Sequence, residues 1–137
     1  NGHRTQSGSI NLDSSPGEVE GLLTRLERIL EPSCLGQMDA FKLRSAIVEV
    51  VNNCIQHAYS GMAGQPIEIR YELHADHVLF RIADRGPAFQ APDNLPSASA
   101  FSETGRGLNI ITAWVSDVRF ERSNGWNVCS LEQRSAP

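Results

Sequence analysis

Glu49-Val50-Val51-Asn52-Asn53-Cys54-Ile55-Gln56-His57 sets a carboxylate, an amide and an imidazole four residues apart inside an apolar run. Around it Ala40, Leu43, Ile47, Val50, Val51, Cys54 and Ala58 recur at three- and four-residue intervals, the spacing of a helix with one buried face. A helix over about residues 40–58 is therefore expected. Glu49, Asn53 and His57 then form one line of side chains beside the buried stripe, with His57 closest to the core. Taken alone such a line is an ordinary solvated flank. Its meaning depends on what the rest of the chain brings to it.

Upstream, residues 1–8 are polar, contain glycine and lack periodicity, and read as a loose lead-in or tag remnant. Ile10 and Leu12 alternate with polar neighbours over residues 9–13, an expected edge strand. Ser15-Pro16-Gly17-Glu18 supplies a helix start, with Ser15 as N-cap, Pro16 at the first position and Glu18 three after the cap. Val19, Leu22, Leu23, Leu26 and Leu30 follow at helical spacing until Glu31-Pro32. This is a packing helix first, and pairing of two chains through it is a secondary expectation.

Downstream, Ser60-Gly61-Met62-Ala63-Gly64 breaks the central helix. Ile67, Ile69, Tyr71 and Leu73, then Val78, Phe80 and Ile82, alternate on either side of a turn near Ala75-Asp76. They predict an antiparallel hairpin that delivers Asp84 to the end of a sheet. His74 and His77 flank its tip; their H-x-x-H spacing invites a metal reading, but at a tip they are expected to face solvent. Residues 85–104 carry Pro87, Pro92 and Pro96 with no sustained period, and a loop this long inside a compact domain is usually a lid. Residues 107–116 predict another helix, and Asn124-Gly125 between Val118, Phe120 and Trp126, Val128 predicts a second hairpin.

One domain over residues 9–133, followed by a tail at 134–137, is the natural division of 137 residues. With 40% hydrophobic residues it can bury a core without staples. The order of elements predicts an α+β two-layer sandwich, with helices packed on one face of a largely antiparallel sheet. A net charge of -4 with scattered basic residues argues against direct nucleic-acid or membrane-surface binding. Three widely spaced cysteines, Cys34, Cys54 and Cys129, with no metal-type pair, suit a reducing cytoplasm. No apolar stretch approaches the roughly 20 residues needed to span a bilayer.

Asp84-Arg85-Gly86-Pro87-Ala88-Phe89 closes an expected strand, and Thr104-Gly105-Arg106-Gly107-Leu108 opens an expected helix. Together with Glu49 and Asn53 on the central helix, these segments resemble, in order and spacing, the three nucleotide-binding boxes of the GHKL (Bergerat-fold) ATPase superfamily. Within it the chain is most similar to the anti-sigma factor serine/threonine-protein kinases, over nearly its whole length. The resemblance implies ATP and Mg²⁺ as cofactors, with Asn53 offering the metal an amide oxygen and Glu49 polarising the attacking hydroxyl. His57 falls in the same nucleotide-binding helix. The matching aspartate in the family reads adenine, which Asp84 can do by accepting from the exocyclic amine that guanine lacks.

Gly86 would let the backbone approach the base. Ala88 stands where many family members have a second glycine. Thr104, Gly105, Arg106, Gly107 and Leu108 would present bare amides and a helix N-terminus to phosphate, with Arg106 adding charge. On the last strand the family tends to place a threonine near adenine; Asn127-Val128-Cys129-Ser130 has none, and Ser130 is the expected substitute. The implied activity is transfer of the ATP γ-phosphate to Ser or Thr of a small STAS-type anti-sigma factor antagonist, with sequestration of a sigma factor or similar regulator. A complete sensor histidine kinase is not expected, because these 137 residues are only as long as the ATP-binding domain, and His57, within the nucleotide helix, is no substitute for a phosphoacceptor histidine. The alternative is a non-catalytic ATP-binding module for partner switching, excised from a larger signalling protein.

Overall fold

The computed structural model describes residues 5–15, 17–88 and 108–136. Strands β1 (Gln6–Asp13), β2 (Pro66–Leu73), β3 (His77–Asp84), β4 (Asp117–Ser123) and β5 (Trp126–Arg134) form one sheet in the order β1-β2-β3-β5-β4. Every neighbouring pair is antiparallel. Helices α1 (Glu18–Leu30), α2 (Gln37–Asn53) and α3 (Leu108–Trp114) cover one face. The expected two-layer α+β architecture is what the chain adopts.

The alternating residues make the floor of the core. Ile10, Ile67, Ile69, Phe80, Ile82 and Leu131 are all but sealed from solvent. Leu22, Leu26 and Leu30 of α1, Leu43, Ile47, Val50 and Val51 of α2, and Ile111 of α3 close over them. Leu23 turns outward at 39% exposure, because it sits one position off the stripe of its helix. Each fully buried aliphatic or aromatic side chain here contributes on the order of 1.5–3 kcal/mol. The Asn124-Gly125 turn has φ of 52° and 84°, the left-handed pair that a two-residue hairpin needs.

Strand β1 begins at Gln6, three residues before the alternation begins, because Gln6, Ser7 and Gly8 pair with Leu73, Glu72 and Tyr71. The start of α1 also departs from the expected capping box. Gly17 occupies the cap without a side-chain bond. Asp13 instead makes the turn, its carboxylate accepting from Ser15 N at 2.7 Å, and Glu18 Oε1 reaches back to Asp13 N at 3.4 Å. Pro16 lies outside the described residues.

The hairpin tip differs as well. His74 and His77 are not solvated singly: their rings stack at 4.3 Å, with side-chain exposures of 27% and 29%. His74 Nε2 lies 2.8 Å from Glu72 Oε1, and His77 Nδ1 lies 2.7 Å from Asp76 Oδ1. These contacts hold the Glu72 and Asp76 carboxyls below their usual range. Among the described residues no group of three or more His, Cys, Asp and Glu side chains is arranged to hold a metal ion.

At that same end of the sheet the buried Gln133 Nε2 donates to Trp114 O at 2.9 Å and Asp39 O at 3.4 Å. One side chain thus ties β5 to the end of α3 and the start of α2. No described helix is long and apolar enough to cross a membrane.

Candidate nucleotide site

Helix α2 does not continue to Ala58 as a regular α-helix. After Asn53 the chain makes a π-turn over Cys54–Ala58, closed by Tyr59 N donating to Cys54 O at 2.9 Å. The wider turn inserts one residue into the helical phase, and such insertions recur at functional sites. Glu49 and Asn53 remain one α-turn apart and half-buried on the same helix. His57 is carried outward and is exposed, so the imidazole does not join the line that a continuous helix would give. Cys54, Ile55 and Tyr59 take the inward positions instead.

The π-turn brings the end of α2 onto the end of β3. The Tyr59 hydroxyl accepts from Arg85 N at 2.6 Å and donates to Pro66 O at 2.5 Å, bridging the start of β2 and the residue after β3. The Cys54 thiol is buried beside the Asp84 carboxylate; burial first, then that negative charge, pushes the thiol well above its usual range and keeps it neutral. Cys129 on β5 is also buried beside Asp84 and shifted upward, mainly by burial. All three cysteines are free.

Asp84 is buried at the end of β3, on the helix-covered face. Its Oδ1 accepts from Gly86 N at 2.9 Å and from Asn127 Nδ2 at 2.9 Å. A carboxylate offers about four lone-pair sites. The described hydrogen bonds both go to Oδ1, so the carboxylate keeps acceptor capacity, which is what an incoming amine requires.

Gly86 carries a constraint beyond any ligand. A Cβ there would stand 2.7 Å from both Cβ and O of Ala58, the last residue of the π-turn. Gly86→Ala is expected to push this turn off α2 and destabilise the fold by about 1–3 kcal/mol, the usual cost of overpacking. Urea unfolding measures it directly; an unchanged midpoint would mean that the turn relaxes freely.

Ala88 is exposed, at the edge of the described chain. Thr104, Gly105, Arg106 and Gly107 lie outside the described residues, as does most of the expected lid, and Leu108 opens α3 with its side chain not described. Ser130 is on the wrong face. It pairs with Arg81 of β3, whereas the residues of β5 that share the face of Asp84 are Asn127, Cys129, Leu131 and Gln133. Strand alternation makes the reason simple: Asn127 is directly opposite Asp84, and Ser130 is three residues further along.

Asn127 is the residue that the sequence does not single out. Besides Asp84, its Nδ2 donates to Pro87 O at 2.8 Å and to Gly86 O at 3.3 Å, while its Oδ1 accepts from Arg122 at 2.9 Å. Arg122 also donates to Gly86 O at 3.1 Å. The Asn124-Gly125 turn was a partial signal, since it fixes the Arg122–Asn127 pairing within the hairpin. The pairing of β5 with β3 has no local signature.

Residues 12–132 match the family model of the histidine kinase-like ATPase domain. The chain belongs to that family. The resemblance drawn from the boxes is borne out, and the sheet with helices on one face is the fold of its structural neighbour. Over 104 residues the chain is 30% identical to the serine/threonine-protein kinase BtrW of Bordetella bronchiseptica, covering 71% of this chain and 72% of that protein. It is 28% identical over 92 residues to the serine-protein kinase RsbW of Oceanobacillus iheyensis, covering 61% and 58% of the two chains.

The crystal structure of the RsbU and RsbW domains of Rv1364c from Mycobacterium tuberculosis superposes with a TM-score of 0.70 at 21% identity. That match takes in 94% of this chain and 32% of the mycobacterial one. It speaks for the fold alone.

Proposed function

We propose that this chain is an ATP-dependent serine/threonine-protein kinase of the anti-sigma factor type. It transfers the γ-phosphoryl group to a hydroxyl of a small STAS-type antagonist protein and sequesters a sigma factor or similar regulator in the cytoplasm. The observation that carries this reading is the junction of α2 with β3. Glu49 and Asn53 stand one turn apart on a helix that runs into a π-turn whose buried Cys54 lies beside the buried Asp84. The names of the relatives as serine-protein kinases support the activity.

The residues present fit Mg-ATP. Asp84 keeps acceptor capacity for an amine, and Asn53 has an amide oxygen of the hard type that Mg²⁺ takes. When bound, Mg-ATP supplies the phosphoryl group and neutralises charge as transfer proceeds. Asp84 selects adenine, Asn53 holds the ion, and Glu49 accepts the proton of the substrate hydroxyl.

The deciding experiment incubates the protein with Mg-ATP and candidate antagonist proteins encoded in the same genome, then maps phosphate on Ser and Thr. Phosphorylation of one such protein is the expected result. ATP binding without transfer to any of them would instead favour a module that sequesters its partner without catalysis.

A further inference from the structure

Five residues, from the β4–β5 hairpin, the end of β3 and the turn after it, form one hydrogen-bonded unit. Arg122, exposed on β4, donates to Asn127 Oδ1 at 2.9 Å and to Gly86 O at 3.1 Å. Asn127, buried on β5, turns its amide nitrogen to Asp84 Oδ1, Pro87 O and Gly86 O. On the other side of the same hairpin, the Arg85 guanidinium lies 5.2 Å from the centre of the Trp126 ring. Successive residues of the turn are thus gripped from both faces of the sheet.

We infer that Arg122 and Asn127 are positioning residues for nucleotide recognition, a clamp that fixes the rotamer of Asp84 and the backbone at Gly86 and Pro87 so that adenine is selected before it binds. This rests on the reading of Asp84 as the adenine acceptor. The physical case is that of donor counting. An amide nitrogen has two hydrogens, and one of those of Asn127 engages the carboxylate oxygen that Gly86 N also binds, which leaves the carboxylate a single allowed orientation. A carboxylate free to turn about its Cβ–Cγ bond would spread its acceptor directions, and its ordering cost would fall on the binding step. Arg122 sets which way the Asn127 amide points, because its guanidinium can only donate and so demands the carbonyl end.

Two substitutions and one control test the clamp. Arg122→Ala removes an exposed side chain and leaves the core untouched; it is expected to weaken ATP binding about 3- to 10-fold and to reduce the ATP:GTP preference. Asn127→Asp replaces the donor with an acid. Around it stand Asp84 from β3, Arg122 from β4 and, on the far side of Asp84, the neutral Cys54 thiol from the π-turn. When the new acid is ionised it repels Asp84; when it holds a proton it donates to Asp84 as the amide did. The deficit in ATP binding relative to wild type is therefore expected to be about 10-fold or more at pH 8.5 and to shrink steadily towards pH 5.5.

A merely structural role would lower the melting temperature without moving the ATP:GTP ratio or producing that pH profile. The clamp is overturned if both folded variants keep ATP affinity and ATP:GTP ratio within about twofold of wild type while Asp84→Asn loses its preference. If Asp84→Asn itself leaves the ratio unchanged, the adenine reading beneath the clamp fails, and the inference falls with it.

Discussion

Glu49→Gln is expected to leave ATP binding within about twofold of wild type, while phosphate transfer to the partner protein falls by about 10²- to 10⁴-fold. The substitution keeps the size of a half-buried side chain on α2 and removes only its capacity to take a proton. At a residue that merely occupies the flank of a helix the substitution would leave transfer unchanged as well, because most such substitutions lie within about 0.5 kcal/mol of silent.

Asn53→Ala, one turn along, provides the contrast. Losing an oxygen ligand to Mg²⁺ impairs binding and transfer together, since the ion bridges protein and phosphates. Isothermal titration with Mg-ATP beside a phosphorylation assay separates the two signatures. Unimpaired transfer by the Glu49 variant would remove it as the base.

Asp84→Asn is expected to cost about 10- to 100-fold in ATP affinity, the range for a charge-assisted hydrogen bond at a buried site, with little loss of GTP binding. The structure makes this substitution unusually clean. Gly86 N and Asn127 Nδ2 both donate to Oδ1 and would hold the oxygen of the new amide in that place. Its NH2 group is then forced to the other side, where the adenine amine needs an acceptor and meets a donor. Competition binding with ATP and GTP measures the ratio. Equal losses for the two nucleotides would show that Asp84 supports the pocket without reading the base.

How far the site was legible in the sequence differs from residue to residue. The juxtaposition of Glu49 and Asn53 was, because one regular turn of helix separates them and a local period suffices to place both on one side. His57 was not. A π-turn changes the phase by one residue, and the contacts that fix it place Tyr59 between Pro66 and Arg85, the latter 26 residues further along the chain.

Ser130 failed for a related reason. The alternation of β5 shows which residues share a face, but it does not say which of the two faces meets Asp84. The β3 register, Asp84 against Asn127, decides that.

Local periodicity, turn chemistry and the order of three short boxes were sufficient for the layered fold, the elements that carry it and the family. Each is a property of neighbouring residues, and the hydrophobic pattern leaves few ways to bury them. The partners of Asp84 were settled only in three dimensions. Its amide donor Asn127 comes from β5, 43 positions away along the chain, and Cys54 beside it from the π-turn, while Arg122 of β4 and Tyr59 hold the neighbouring Asn127 and Arg85. A hydrogen bond between such groups depends on strand register and helix phase taken together, and neither is written in the residues that form it.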